Sequence, residues 1–321
     1  MIVVTGGAGF IGSCTLSYLR KKGAGPLVAV DHFEPAEKQK NWQGIDRLLT
    51  VERDNFFPWL KKSKSKIEFV FHLGARTDTA ETDRAIFQKW NVDYSKEVWK
   101  FCAEESIPLV YASSAATYGN GENGFSDDHQ LIKNLQPLNA YGQSKQDFDL
   151  WALKQKKSPP QWYGLKFFNV YGPNEYHKGR MSSMVYQAYH QIENTGKLKL
   201  FKSHKDGVEH GQQKRDFIYV GDLLSVLFFL YTREPENGIY NVGTGKAQSF
   251  LTLAESVFKT AKRKMEVEFI DIPEDIRSNY QYFTEADISK LRAAGYVNPF
   301  KSIEEGVREY LRDYLISGNY Y

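Results

Sequence analysis

Short apolar runs alternate with helical periods through the first half of the chain. Ile2–Thr5, Leu27–Val30, Phe69–Leu73 and Leu109–Ala112 read as strands, apolar enough for burial on both faces. Phe10–Lys22 and the long stretch Asp83–Glu105 carry helical spacing between them. A helix follows Ala140, then a strand at Gly164–Phe168. This alternation predicts an α/β fold, a doubly wound parallel sheet with helices on both faces. Beyond Gly172 helices mix with short strands, and Gly, Pro and charged residues crowd the segment from Pro173 to Arg180. The chain is therefore expected to divide into residues 1–172 and a smaller α/β lobe, 173–321, with some chain crossing back to the first domain. In the lobe, Val220–Thr232 reads as a strongly apolar helix, Thr284–Ala294 and Ile303–Leu315 as amphipathic surface helices, and Gly318–Tyr321 as a loose tail.

The turn after the first strand has chemical content. Gly6, Gly9 and Gly12 are spaced GxxGxxG between a strand and a helix. The first glycine permits a tight turn, the second lets backbone approach a pyrophosphate, and the third lets helix pack on strand. Amides at the helix N-terminus then face the phosphates. The first domain is thus expected to be a Rossmann-type NAD(P)-binding domain. Asp31 closes the second strand about twenty residues on, where a carboxylate accepts from the adenosine ribose hydroxyls and favours the unphosphorylated cofactor. His32, Lys38 and Arg53 could offset a 2′-phosphate instead, or could be solvated surface charge. On these residues alone the choice between NAD and NADP stays open.

Composition narrows the partners. The net charge is only +3 over 321 residues, with no dense basic block, so nucleic acid is not expected. Two cysteines, Cys14 and Cys102, form no CxxC pair, and the histidines lack zinc spacing, so no metal site is expected. No apolar run reaches the ~20 residues of a membrane span, and Met1-Ile2-Val3-Val4-Thr5 runs straight into a strand. The expected compartment is the cytoplasm.

Tyr141 and Lys145, spaced YxxxK, share one helix face. A phenol near its ordinary value of about 10 is a poor base, and a neighbouring ammonium is expected to pull it down. Ser113-Ser114-Ala115-Ala116-Thr117-Tyr118-Gly119 ends a parallel strand, where such folds place ligands. A hydroxyl there can hold a substrate alcohol beside Tyr141.

The glycine turn, strand-end serines and YxxxK, in that order, resemble the extended short-chain dehydrogenase/reductase family across nearly the whole chain. The resemblance implies that Ser114 assists the substrate hydroxyl, Tyr141 exchanges its proton and Lys145 supports Tyr141. Dehydratases of that family carry an Asp-Glu pair where this chain has Ala115 and Ala116, which argues against elimination of water. Further on, Tyr176-His177-Lys178-Gly179-Arg180-Met181-Ser182-Ser183, Tyr280-Gln281-Tyr282-Phe283-Thr284-Glu285-Ala286-Asp287 and Leu291-Arg292-Ala293-Ala294-Gly295-Tyr296 resemble the branch that inverts carbon six of an ADP-linked heptose. This implies a nucleotide-sugar substrate, a homo-oligomer, and Lys178 as a second proton-handling group. Without the resemblance, Lys178 is a loop lysine that binds phosphate.

The resemblance also implies cofactor contacts from Phe10, Ile11, Asp31, His32, Lys38, Arg53, Leu73, Gly74, Ala75, Arg76, Thr77, Asn91, Lys145 and Val170. The family generally uses NADP, and NAD stays open. Substrate contacts fall on Asn169, Lys178, Arg180, Gln187, Phe201, Lys202, Ser203, His204, Arg215 and Tyr280. Arg215 can grip a diphosphate bidentately, or pair with Asp216 or Asp222. The chain departs from the family at His32, Arg53, Leu73, Arg76, Thr77, Arg180 and Gln187, and in an insertion over Lys202–Lys214.

Overall fold

The computed structural model describes residues 1–277 and 280–321. Its strands in chain order are β1 (Ile2–Thr5), β2 (Leu27–Asp31), β3 (Leu48–Glu52), β4 (Phe69–His72), β5 (Leu109–Ser114), β6 (Trp162–Phe167), β7 (Asn169–Tyr171), β8 (Leu198–Phe201), β9 (Lys214–Arg215), β10 (Phe217–Tyr219), β11 (Gly238–Val242), β12 (Gln248–Ser249) and β13 (Val267–Ile270). Seven of them form one sheet in the order β11-β6-β5-β4-β1-β2-β3, parallel throughout. This is the doubly wound Rossmann-type fold that the apolar runs predict. Chain order reverses at β1, which lies between β4 and β2, so loops after β1 and β4 diverge and open a crevice at their carboxyl ends. The central strands are buried on both faces, which explains why they read as unbroken apolar runs.

Two packed layers make the core. One joins Val4, Phe71, Leu165 and Tyr240 to the helices Phe10–Lys21 and Val220–Arg233, and the other joins Val3, Val70 and Tyr111 to Trp99 and Phe148. The later half contributes more than a separate lobe, since β11 completes the main sheet beside β6. Three two-stranded pairs carry the rest: β7 with β10, β9 with β12, and β8 with β13.

Several local expectations are corrected. β3 is an extra edge strand, missed because its five residues Leu48–Glu52 show no strict alternation and only Val51 is buried, Leu49 being left exposed. The stretch Asp83–Glu105 is helical from Arg84 to Glu104, with a π-helical segment at Gln88–Asp93. The helix expected over Thr284–Ala294 is confined to Ser289–Ala293. Upstream of it, the Ala286 amide donates to Asp216 (3.0 Å) and the Thr284 amide to the Lys214 carbonyl (3.2 Å), which holds that segment extended. The tail is docked: the Tyr321 amide donates to Asn174 (2.9 Å), Ser17 donates to the Tyr321 carbonyl (3.1 Å), and the Lys21 ammonium sits 4.2 Å from the Tyr321 ring.

Candidate active site

The glycine turn is built as its spacing requires. Gly6 takes φ +70°, and a methyl group on Gly12 would run into the Gly6 carbonyl oxygen. The Gly9 amide closes the turn on that same oxygen at 2.9 Å, and the helix Phe10–Lys21 starts at once. Gly74, just past β4, lies so close that a Cβ on Gly6 would strike its backbone. Thr5 accepts from the Gly74 amide (3.1 Å) and bonds to buried His72 (2.7 Å), so the Leu73–Thr77 segment is fastened to the glycine turn.

Asp31 does two local jobs. Its carboxylate accepts from the Ala8 amide of the glycine turn (2.9 Å) and pairs with Lys38 at 3.2 Å. His32 faces Glu34 and Glu52 at 3.6 and 3.7 Å. Arg53 lies flat over Trp90, 3.7 Å from the ring centre, and bonds Asp54. Asn91 holds Arg76 reciprocally, accepting from its amide (2.8 Å) and donating to its carbonyl (2.9 Å), and also donates to Ser144. Ser144 donates to the Tyr141 carbonyl, which ties the cofactor-side segment to the YxxxK helix.

That helix, Ala140–Leu153, is capped by Asn139, whose side chain accepts from the Gly142 amide at 2.8 Å. Lys145 is buried and donates to the Ala112 carbonyl of β5 at 2.8 Å. Burial lowers its ammonium to about 8, and the Asp149 carboxylate opposes the fall. Burial pushes the Tyr141 phenol above its ordinary value, and the Ser114 hydroxyl pulls it back. The expected depression of Tyr141 by Lys145 is not seen; the favouring contact comes from Ser114.

Lys178 occupies a tight turn, Tyr176–Met181, with Gly179 at φ +53°. Its ammonium stands 5.6 Å over the Phe10 ring, at the start of the cofactor-side helix. Burial lowers its proton affinity, and buried Glu175 opposes that. Arg180 pairs with Asp78 at 3.2 Å and adds no charge that lowers Lys178. Gln187 donates to the Arg180 and Ser182 carbonyls, bracing the turn. The Leu73–Asp78 segment is thus bonded on one side to the helix of Tyr141, through Asn91 and Ser144, and on the other to the turn of Lys178, through Asp78.

The remaining substrate candidates form a second cluster. The Arg215 guanidinium lies 5.5 Å over the Tyr280 ring, Phe201 meets Tyr280 edge-on at 5.8 Å, and the His204 amide donates to the Tyr282 hydroxyl at 3.0 Å. Lys202 and His204 flank Asp271, and the Ser203 amide donates to His210. Arg215 is buried and donates to the Lys214 and Gln281 carbonyls; among the described residues it has no carboxylate partner. Asp216 and Asp222, its other expected partners, instead accept from the amides of Thr244 and Lys301. Gln281 donates to the Gly119 carbonyl, joining this cluster to the strand-end run that holds Ser114. Asn169 and Val170 lie on β7, which pairs with β10 beside Arg215.

Some residues that build the site carry no signal in the spacing. Asn41 bonds the Ala8 and Asn174 carbonyls and His177 (3.0–3.2 Å), clasping the Lys178 turn to the glycine turn. Asn174, at φ +73°, and Glu175 pin that turn from beneath: Glu175 accepts from Ser183 and from the Gly172 amide. Both acids and amides here are fully buried, a burial visible only once the turn is folded.

A switch-point crevice with a glycine turn, a strand-end serine and a Tyr–Lys helix defines a dinucleotide-dependent enzyme of the Rossmann class. The family model described as the NAD dependent epimerase/dehydratase family matches residues 2–243, and the chain belongs to this family. It is 46% identical to the ADP-L-glycero-D-manno-heptose-6-epimerase of Fusobacterium nucleatum over 100% of both chains, and 43% identical to that of Nitratidesulfovibrio vulgaris over 99% of both. Among solved structures it is similar to the Helicobacter pylori ADP-L-glycero-D-manno-heptose-6-epimerase, with TM-score 0.82 and 26% identity over 97% of this chain and 95% of that one. Its cofactor is a nicotinamide dinucleotide, as the family requires. Among the described residues, no helix is long and apolar enough to cross a membrane.

Proposed function

We propose that the chain interconverts ADP-D-glycero-D-manno-heptose and ADP-L-glycero-D-manno-heptose by inverting carbon six. What supports this reading is full-length identity of up to 46% to enzymes of that name, together with a buried Lys145 on the Tyr141 helix and a Lys178 drawn over Phe10 at the start of the glycine-turn helix. A dinucleotide held at the Gly6, Gly9 and Gly12 turn would supply reversible hydride transfer at carbon six, so that inversion runs through a ketone of the sugar. The alcohol oxygen sits in two places during this cycle, because rotation about the exocyclic bond carries it across the site. Two proton-handling groups serve the two places. Tyr141, assisted by Ser114 and Lys145, handles one, and Lys178 handles the other. Arg215, buried with no carboxylate partner among the described residues, meets the diphosphate, with Tyr280 and Phe201 beside it. Arg180, Gln187, Asn169 and the run Phe201, Lys202, Ser203 and His204 complete the substrate side.

NADP is the proposed form of the cofactor. The glycine cradle fits a pyrophosphate, and Asp31 is already engaged by Lys38 and the Ala8 amide. Lys38 and Arg53 supply positive charge for a 2′-phosphate. Residues 1–172 with β11 then form the cofactor domain, and the remainder of 173–321 the substrate lobe. A cytoplasmic homo-oligomer is part of the same proposal.

The test incubates the protein with ADP-heptose and follows the carbon-six configuration by NMR, with a mass spectrum of released ligand identifying the dinucleotide. Inversion is expected in the parent and loss by about 10²–10⁴-fold in Tyr141→Phe. No inversion by the folded, cofactor-loaded parent sinks the substrate assignment, and full activity in Tyr141→Phe sinks the role of the phenol.

A further inference from the structure

Between the helix of Tyr141 and β6 lies a charged pair with no access to water. Asp149 and Lys166 are 0% exposed and meet at 2.7 Å. Asp149 follows Tyr141 and Lys145 at i+8 and i+4 on the same helix, so the three share a face. Lys166 is on β6, register partner of Ser113 on β5. Ser113 donates to Asp149 at 2.7 Å, and Tyr111 donates to its other oxygen at 3.1 Å. The Lys166 ammonium also donates to Thr117 (2.7 Å), whose hydroxyl donates to the Ser114 carbonyl (2.9 Å). Every polar group of the cluster is therefore bonded, and every bond ends on the helix of Tyr141 or the strand end of Ser114.

Removing two charges from water is costly, and apolar side chains of similar volume would pack there as well or better. Packing alone does not account for the pair. We propose that Asp149 and Lys166 are positioning residues for the reaction, clamping the Tyr141–Lys145 helix to the strand end of Ser114 at the spacing proton transfer needs. The inference rests on the site reading above. The same carboxylate opposes the burial-driven fall of the Lys145 ammonium. The groups set against Lys145 are Asp149 from its own helix, the Ala112 carbonyl of β5 and His72 of β4, whose protonation burial disfavours; Lys166 on β6 reaches it through Asp149.

The test is Asp149→Asn/Lys166→Gln, which removes both charges and keeps hydrogen-bonding groups in place. Folding is read by circular dichroism and thermal unfolding, cofactor by fluorescence titration, and turnover on ADP-heptose across pH. The expected result is a folded protein with cofactor affinity and KM near the parent's, and kcat down about tenfold to a hundredfold. The alkaline limb of its kcat profile moves to lower pH, because Lys145 has lost the carboxylate that retains its proton. A folded double variant with the parent's kcat and alkaline limb overturns the proposal. Ser113→Ala, which drops one bond of the clamp and leaves the ion pair, gives the same kcat-specific loss in smaller measure. An unaltered kcat in Ser113→Ala overturns the proposal even where the double variant does not fold. Tyr141→Phe, measured alongside, separates the two claims. If it is fully active the site reading falls; if it is inactive while the double variant matches the parent, only the clamp falls.

Discussion

Lys178 is the residue on which the inversion turns. A lysine on an open loop keeps its proton at neutral pH and can only bind anions. This one is drawn inward by a turn that Glu175, Asn174 and Asn41 hold in place, and burial makes its proton easier to lose. Glu175 opposes that effect. Lys178→Met is expected to cut epimerisation by about 10²–10⁴-fold. Cofactor affinity, read by fluorescence titration, stays near the parent's, because the side chain meets the Phe10 ring and makes no bond to the glycine turn. A matching loss of cofactor affinity would make Lys178 a binding residue instead. Tyr141, Lys145 and the glycines were legible because their spacing within one turn or helix is itself the chemistry. Asp149, Lys166 and Asn41 were not. A lysine amid Leu165 and Phe167 gives no local sign that its partner is a carboxylate 17 positions earlier.

At the scale of elements, the sequence reading failed where bonding to distant chain overrides local pattern. Thr284–Ile288 has helical periodicity, yet the chain pairs there with Lys214, whose amide donates to the Tyr282 carbonyl and whose carbonyl accepts from the Thr284 amide, a strand-like exchange that keeps it extended. The π-helical segment Gln88–Asp93 sits inside a helix that was anticipated, and periodicity has no way to show it. It carries Asn91 to the Arg76 backbone and Ser144, as such bulges commonly do at functional sites. The helix Ile303–Tyr310 shows the opposite case, where local signals suffice. Ser302 accepts from the Glu305 amide while Glu305 accepts from the Ser302 amide, a reciprocal cap before the buried Ile303, Val307 and Tyr310. Ser302→Ala is expected to lower unfolding stability by about 1 kcal/mol and leave epimerisation unchanged, as read by denaturant titration and NMR. Tyr310 of this helix packs on Tyr171, next to the segment that leads into the Lys178 turn, so a change in kcat would show that loss of the cap reaches the site.

The whole molecule is held at its switch point by one buried chain of polar groups, and that chain makes folding sensitive to pH. His72, 3% exposed at the end of β4, joins β1 to the helix that carries Asn91. Ser95 spends its hydroxyl proton on the Asn91 carbonyl (2.7 Å), so it accepts from Nε2 of His72. The Gly74 amide donates to Thr5, which turns its own proton to Nδ1. The ring is thus bonded at both nitrogens as a neutral imidazole with one proton. Burial, with the Lys145 charge added, lowers its proton affinity to about 3 from the ordinary 6.5. Below 6.5 the unfolded chain binds a proton that the folded chain refuses, so stability is full above 6.5 and falls as pH drops toward 3. The slope is about 1.4 kcal/mol per pH unit for one such group. His177, lowered to about 4 chiefly by burial, adds in the same direction. Buried Glu175 and Asp216, whose carboxyls are raised by burial, act in the opposite sense, so the total slope does not isolate His72. The difference between parent and His72→Gln does. The variant is expected to be less stable at neutral pH, yet to lose about 1.4 kcal/mol less than the parent between pH 7.5 and 5.5, measured by urea titration at each pH. Parallel losses in the two proteins would mean that the folded ring takes its second proton freely, and that the bonded chain from the glycine turn to Asn91 is not what holds the crevice shut against acid.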